Sequence, residues 1–235
     1  SKSNRRWWRC SGKLMTKPLH RDDPEKDPLV GNIKVTREDW LNVALDTLVS
    51  DGMEQVKVLS LANRLAVSRS SFYWYFKSRQ ELLDALLDQW LATNTAALVA
   101  STDLPAQTIT QAVTNVFSCF LNPQRFNNPL DFAIRDWARR SGKVRRVLDT
   151  SDTQRLDALT TMFVRFDYGQ HDATARARVL YYMQIGYTDA ELHEPLEQRL
   201  SMLEHSLFAF TGQKPSTDEI AASQADMHKI FSSMG

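Results

Sequence analysis

The chain has 235 residues, 43% of them apolar and 24% charged, with a formal net charge of +1. This is the composition of a soluble globular protein long enough to bury a real core, as one large domain or two small ones. No apolar run approaches the roughly 18–20 residues that a membrane span requires, and the basic segment Ser1–Cys10 is not followed by the apolar stretch of a signal peptide.

In chain order, residues 1–33 read as a flexible arm. They mix basic residues with RDDPEKDP and carry Pro18, Pro24 and Pro28 without hydrophobic periodicity. Met15 reads as the natural start, with 1–14 a tag or an upstream extension. The RRWWR cluster reads as a solvated tail, the functional alternative being an arm that reaches DNA. Only two cysteines occur, Cys10 in this arm and Cys119 in an apolar helical pattern. A disulfide is not expected, and a reducing cytoplasm fits.

From Thr36 onward nearly everything predicts helix. Thr36 with Asp39 makes an N-terminal cap, Trp40, Val43, Ala44 and Leu48 form an apolar face, and Asp51-Gly52 ends it. Val58 to Leu65 is a second, short helix with Leu61, Ala62 and Leu65 inward. Ala66-Val67 makes a turn, and Ser68 caps a third helix through about Tyr75. Ser78 with Glu81 is a capping box that opens a long helix to about Ala100. Further helices are expected near 106–121, 129–140, 143–167, 173–192, 195–210 and 217–233. Asn128-Pro129 and Glu194-Pro195 mark starts, Gly142, Gly169 and Gly212 sit just beyond ends, and Ser216 with Glu219 repeats the capping box. No segment alternates like a strand. The fold class is all-α: an N-terminal three-helix unit with a helix–turn–helix over 34–78, and a larger helical bundle over 79–235.

The densest chemistry lies between Gln55 and Gln80, which hold Lys57, Arg64, Arg69, Lys77 and Arg79 and no acidic residue. Aromatics crowd into Phe72, Tyr73, Trp74, Tyr75 and Phe76. A cationic, hydroxyl-rich, aromatic helix pair in an otherwise neutral chain is suited to a polyanion, with double-stranded DNA the first candidate. A recognition helix enters the major groove N-terminus first, and Ser68, Arg69, Ser70 and Ser71 occupy that first turn. Arg69 suits bidentate reading of guanine, Trp74 a thymine methyl or a sugar, Tyr73, Tyr75 and Lys77 phosphate, and Ser60 and Arg64 anchoring of the preceding helix. Phe72 and Phe76 share a face and read as core.

Trp40-Leu41, Ala44, Gly52, Leu61-Ala62, Leu65, Val67-Ser68 and FYWYFKSRQELL at 72–83 together resemble the TetR family of bacterial transcriptional regulators. The resemblance covers about 36–90. It implies operator binding by a homodimer, and a variable C-terminal part that binds a small-molecule effector and commonly relieves repression. Four positions depart from the family pattern. Ala66 stands where glycine is usual in the turn, Lys57 replaces a hydroxyl cap, Tyr75 a histidine and Arg79 a lysine. A left-handed backbone at Ala66 would cost roughly 1 kcal/mol, so an adjusted turn is expected.

For the bundle, the family's pairing through its last two helices points to Leu196, Leu200, Leu203, Leu207 and Phe210 as the homodimer face. Tyr182 and Gly186 on the preceding helix would complete it; ordinary core packing is the alternative for the stripe. Trp90, Phe117, Phe120, Trp137, Phe163, Met183 and Tyr187 are candidates for an effector pocket. Arg135-Asp136-Trp137 and the Asp152–Arg155 segment read as an interhelix ion pair that is structural, a ligand-facing pair being the alternative. Enzyme motifs are absent: there is no G-x-S-x-G, P-loop or G-x-G-x-x-G, and the five histidines lack metal-ligand spacing, so no metal or cofactor is expected. The rival reading is an all-α dimeric interaction or ligand-carrier module without DNA binding.

Overall fold

A computed structural model describes residues 35–190 and 194–232. The arm over 1–33, with its RRWWR cluster, and His193 lie outside the described residues. The fold is all-α, and no strand occurs among the described residues. The chain divides into two units at Asp88. The sequence boundary at 78/79 falls earlier, because residues 79–88 of the helix opened by Ser78 belong to the first unit.

The first unit is built on α1 (Arg37–Asp51), α2 (Val58–Leu65) and a 3₁₀ segment, Arg69–Trp74. Local sequence sets each boundary. Asp39 N–H donates to Thr36 Oγ1 at 3.2 Å while Thr36 N–H donates to the Asp39 carboxylate at 2.7 Å, so two orphan amides of α1 are satisfied reciprocally. Gly52 ends α1 at φ 84°, a conformation that glycine alone adopts without strain. The core is aromatic: Phe72 meets Trp40 edge-on at 5.2 Å and stacks on Phe76 at 5.3 Å. All three rings are buried.

Two expectations here are corrected. The turn after α2 is not adjusted for alanine, since Ala66 sits in the left-handed region at φ 51°, ψ 44°. The reason is hydrogen bonding: Val67 N–H reaches Ala62 O and Ala66 N–H reaches Asn63 O, which closes the end of α2 as a Schellman motif. The segment after Ser68 is a 3₁₀ turn and not an α-helix; Ser68 makes no side-chain cap, while Ser71 Oγ donates back to Ser68 O at 2.8 Å.

The chain passes between units within α3 (Arg79–Trp90). Helicity then continues through a π turn, Leu91–Thr95, into α4 (Ala96–Thr102), where the sequence predicts one uniform helix. The wide turn carries Asn94 and Thr95 inside, both fully buried. Asn94 exchanges two hydrogen bonds with the Asn127 backbone, at 2.9 and 3.0 Å, and Thr95 Oγ1 pairs with Ser151 Oγ at 2.7 Å. Those partners give the extra residue its place.

Around this stretch lie α5 (Ile109–Leu121), α6 (Asn128–Ala138), α7 (Gly142–Arg165), α8 (Gln170–Asp189), α9 (Leu196–Ser201), α10 (Leu203–Thr211) and α11 (Thr217–Ser232). The core includes Leu98, Val116, Phe120, Leu159, Phe163 and Leu180. Glu219 completes the expected capping box with Ser216 and also accepts from Thr108 and Thr110, which fastens α11 to α5. The helix expected over 195–210 breaks at Met202 into α9 and α10. Gly142 and Gly169 open α7 and α8 where they were expected beyond helix ends. The left-handed stop before α8 is Asp167, at φ 66°.

Candidate nucleic-acid interface and bundle cavity

The turn at Ala66 aims the start of the 3₁₀ segment outward. Ser68, Arg69 and Ser70 are exposed, Ser71 is half-buried, and Ser68 and Ser70 share a hydrogen bond of 2.8 Å. Arg69 Nη2 donates to Tyr73 OH at 3.3 Å, so the two side chains form one exposed edge. Trp74 is 85% exposed, far beyond what a core role tolerates. Lys57 and Lys77 are exposed, and with Arg69 they have no carboxylate partner among the described residues. Ser60 is half-buried on α2. Leu59 on α2 is 59% exposed, and one exposed leucine carries no motif in the sequence.

Arg64 and Tyr75 of the expected set, and Arg79 beside them, have partners within the fold. Arg64 Nη1 donates to Thr47 Oγ1 at 2.6 Å and pairs with Asp51 at 3.4 Å, so it ties α2 to α1. The same guanidinium partly offsets the burial that pushes the Asp46 carboxyl up. Tyr75 is half-buried and its single O–H donates to Val35 O at 2.6 Å, which leaves no donor for a phosphate. Arg79 donates to Val56 O and Met53 O and closes the loop between α1 and α2.

The second unit contains a cavity of about 250 Å³ between α6 and α8, with the buried Phe120 and Phe126 in its lining. Of the residues expected to line a pocket, Phe120 does. The others lie elsewhere, because the sequence gives their helix face and not the neighbour that covers it. Trp90 is buried beneath the Arg155 guanidinium, 5.0 Å from its ring, and Trp137 and Phe163 are core. Phe117 packs on Phe210 at 5.3 Å, Tyr187 lies against Arg199, and Met183 is half-buried.

The cavity's inner wall is polar, and its members are fully joined. Arg135 takes Asp152 with two nitrogens, at 2.8 and 3.1 Å, and Asp131 with Nε at 3.0 Å. Arg155, with no exposure at all, holds Asp131 at 2.9 Å and Thr95 Oγ1 with two nitrogens at 3.0 and 3.2 Å. Trp90 Nε1 donates to Asp131, and Tyr181 OH donates to Asp152 while accepting from both guanidinia. Burial alone would raise the Asp131 carboxyl; Arg155, Arg135 and the Trp90 bond outweigh it and hold it below the ordinary carboxylate range. Burial pushes the Tyr181 phenol up, against the pull of Arg155 and Arg135, and keeps it a donor. One side chain, Arg155, thus joins the cavity wall to the π turn.

The leucine stripe expected to face a second copy is turned inward. Leu200, Leu203 and Leu207 are in the core of the second unit, while Leu196 and Phe210 pack against it. A stripe of period 3.5 specifies a face without saying what covers it. Tyr182 and Gly186 are exposed on α8, as are Val179 and, around α10, Met202 and Phe208. Among the described residues no group of His, Cys, Asp and Glu is placed to hold a metal ion. No helix there is long and apolar enough to cross a membrane.

Residues 41–86 match the family described as "Bacterial regulatory proteins, tetR family". The class C tetracycline repressor protein of Escherichia coli is 41% identical over 61 residues, 26% of this chain and 28% of that protein. The class A protein from transposon 1721, also of Escherichia coli, is 39% identical over 54 residues, 23% of this chain and 25% of that protein. The match therefore spans less than a third of these relatives' length. Among solved structures, the ketosteroid transcriptional regulator KstR2 of Mycobacterium tuberculosis superposes with a TM-score of 0.57 at 16% identity, over 78% of this chain and 98% of that one. Salmonella enterica GusR gives 0.53 at 12% identity, over 83% and 95%. At such identities the likeness is one of fold.

Proposed function

We propose that this chain, whose residues 41–86 form a TetR-family regulatory domain, binds operator DNA as a homodimer, represses transcription and is released by a small-molecule effector held in the bundle. The observation that carries the reading is the exposed edge Ser68–Tyr73, where Arg69, flanked by the exposed hydroxyls of Ser68 and Ser70, projects from a turn fixed by buried Phe72. Arg69 supplies base readout in the major groove. Lys57, Lys77 and Tyr73 hold phosphates, and Trp74 lies against sugar or a thymine methyl. Two such units read half-sites about one helical turn apart. The second copy meets the exposed apolar residues of α8 and α10, with Tyr182 and Gly186 among them.

Repression is the direction that the names of the two Escherichia coli relatives suggest. Release follows from the link between cavity and π turn. A ligand between α6 and α8 meets the wall that Arg155 belongs to, and Arg155 holds Thr95 on the helical stretch that begins at α3. An effector that prefers the state with Thr95 released shifts the population away from operator binding, and only by its difference in affinity for the two states. The test is selection of bound fragments from the source genome, followed by footprinting. Two protected half-sites of shared sequence, with selectivity lost in Arg69→Ala, support the reading. Binding without sequence preference, or selectivity retained in Arg69→Ala, refutes it.

A further inference from the structure

The chemistry of the cavity wall restricts what the cavity accepts. Arg135 uses four of its five N–H donors on Asp131, Asp152 and Tyr181, and Arg155 uses four of its five on Asp131, Tyr181 and Thr95. Two carboxylates and two guanidinia therefore cancel within the wall. At the mouth, Arg139 and Asp189 are exposed, opposite in sign and without an ion-pair partner among the described residues, while Asp136 pairs with Arg140 at 3.6 Å. The rest of the lining combines Phe126, Phe132, Tyr182 and Ile185 with three neutral polar residues, of which Asn128 donates to Phe120 O and Thr188 to Gln184 O. A charged group entering here loses its water and finds no unpaired opposite charge inside. The side-chain amide of Gln184, in the lining and without a hydrogen-bond partner among the described residues, can exchange hydrogen bonds with a neutral partner.

We propose that this cavity binds an uncharged, compact aromatic compound of one or two rings bearing a hydroxyl or carbonyl group, its ring against the phenylalanines and its oxygen at Gln184. The proposal rests on the effector-controlled reading above and names the chemical class of that effector. The size fits, since 250 Å³ lies just below the usual range for small-molecule pockets. The wall is saturated before the ligand arrives, so selectivity is by exclusion of charge.

Three probes of one shape test it on the full chain: 2-naphthol, 2-naphthoate and 2-naphthylmethylammonium, each titrated by calorimetry at neutral pH. The expected result is measurable binding of 2-naphthol, with each charged analogue at least tenfold weaker. Phe132→Ala removes a ring that lines the cavity on the α6 side and is 40% exposed, so the core of the unit is left intact. It is expected to weaken 2-naphthol at least tenfold, and Gln184→Ala to weaken it several-fold with an unchanged unfolding midpoint. Equal or tighter binding of either charged probe overturns the proposal, as does failure of all three to bind, or binding unaffected by both substitutions. Operator affinity is measured on the same preparations. Loss of probe selectivity with operator binding intact overturns the ligand class alone, whereas absent operator binding overturns the regulator reading.

Discussion

Ala66→Gly should stabilise the protein, although it removes a side chain. Ala66 holds φ 51° and ψ 44°, where an L-residue with a Cβ is strained by about 1–2 kcal/mol. Glycine relieves that strain but adds unfolded-chain entropy worth about 0.4–1 kcal/mol. The methyl is exposed, so almost no apolar burial is lost. Both Schellman hydrogen bonds are backbone bonds and survive. The net gain is about 0.5–1 kcal/mol, or roughly 1–4 °C in the unfolding midpoint of a chain this size. Differential scanning calorimetry of the full chain reads it, and hydrogen exchange of the α2 amides locates it. Ala66→Val, β-branched at the same backbone angles, should lower the midpoint. A midpoint that falls in Ala66→Gly, or rises in Ala66→Val, refutes a left-handed residue here and with it the turn that aims Ser68 and Arg69.

Three further outcomes follow from the buried wall. Asp131→Leu strands the fully buried Arg155 without its carboxylate and should cost about 3–5 kcal/mol in urea unfolding; a loss under 1 kcal/mol would contradict the pairing. Because the Asp131 carboxyl is depressed in the folded state, its contribution is complete above the ordinary carboxylate range and drains as pH falls below about 4. Acid unfolding monitored by circular dichroism should therefore be less steep in Asp131→Leu than in the parent, and an unchanged acid limb would count against it. Thr95→Val removes the hydroxyl shared by Ser151 and Arg155 and should destabilise by about 1–3 kcal/mol. It should also shrink the ligand's effect on operator affinity, and an undiminished effect would remove Arg155–Thr95 from the coupling.

What the sequence made legible was local. Thr36 with Asp39 and Ser216 with Glu219 lie within four residues of each other, and their geometry follows from the helix itself. The outward face of the segment after Ala66 was legible too, because charge and hydroxyls have no reason to be buried there. Gly142 and Gly169 misled, since glycine suits a helix start as well as a stop, and Asp167 took the left-handed position. The cavity was only partly visible. Asp131 and Arg135 sit one turn apart on α6, but Tyr181, which completes the wall, is 46 residues from Arg135 in sequence. The π turn leaves no pattern of its own, because it exists for the partners that Asn127, Ser151 and Arg155 offer to Asn94 and Thr95. Tyr75 looked like a phosphate ligand because the partner of its hydroxyl, Val35 O, is visible only in three dimensions, as is the Thr47 that Arg64 holds.

The central claim is that the positive edge around Arg69 grips a duplex. The most direct measurement is operator affinity across a salt titration, for the parent and for Arg69→Ala with Lys77→Ala. Each phosphate contact contributes about −0.9 to the slope of log affinity against log salt. The parent should show a steep negative slope, shallower by about 0.9 in the double variant for the lost Lys77 contact, with weaker binding at every salt concentration. A flat salt dependence in the parent, or identical curves for the two proteins, would contradict it.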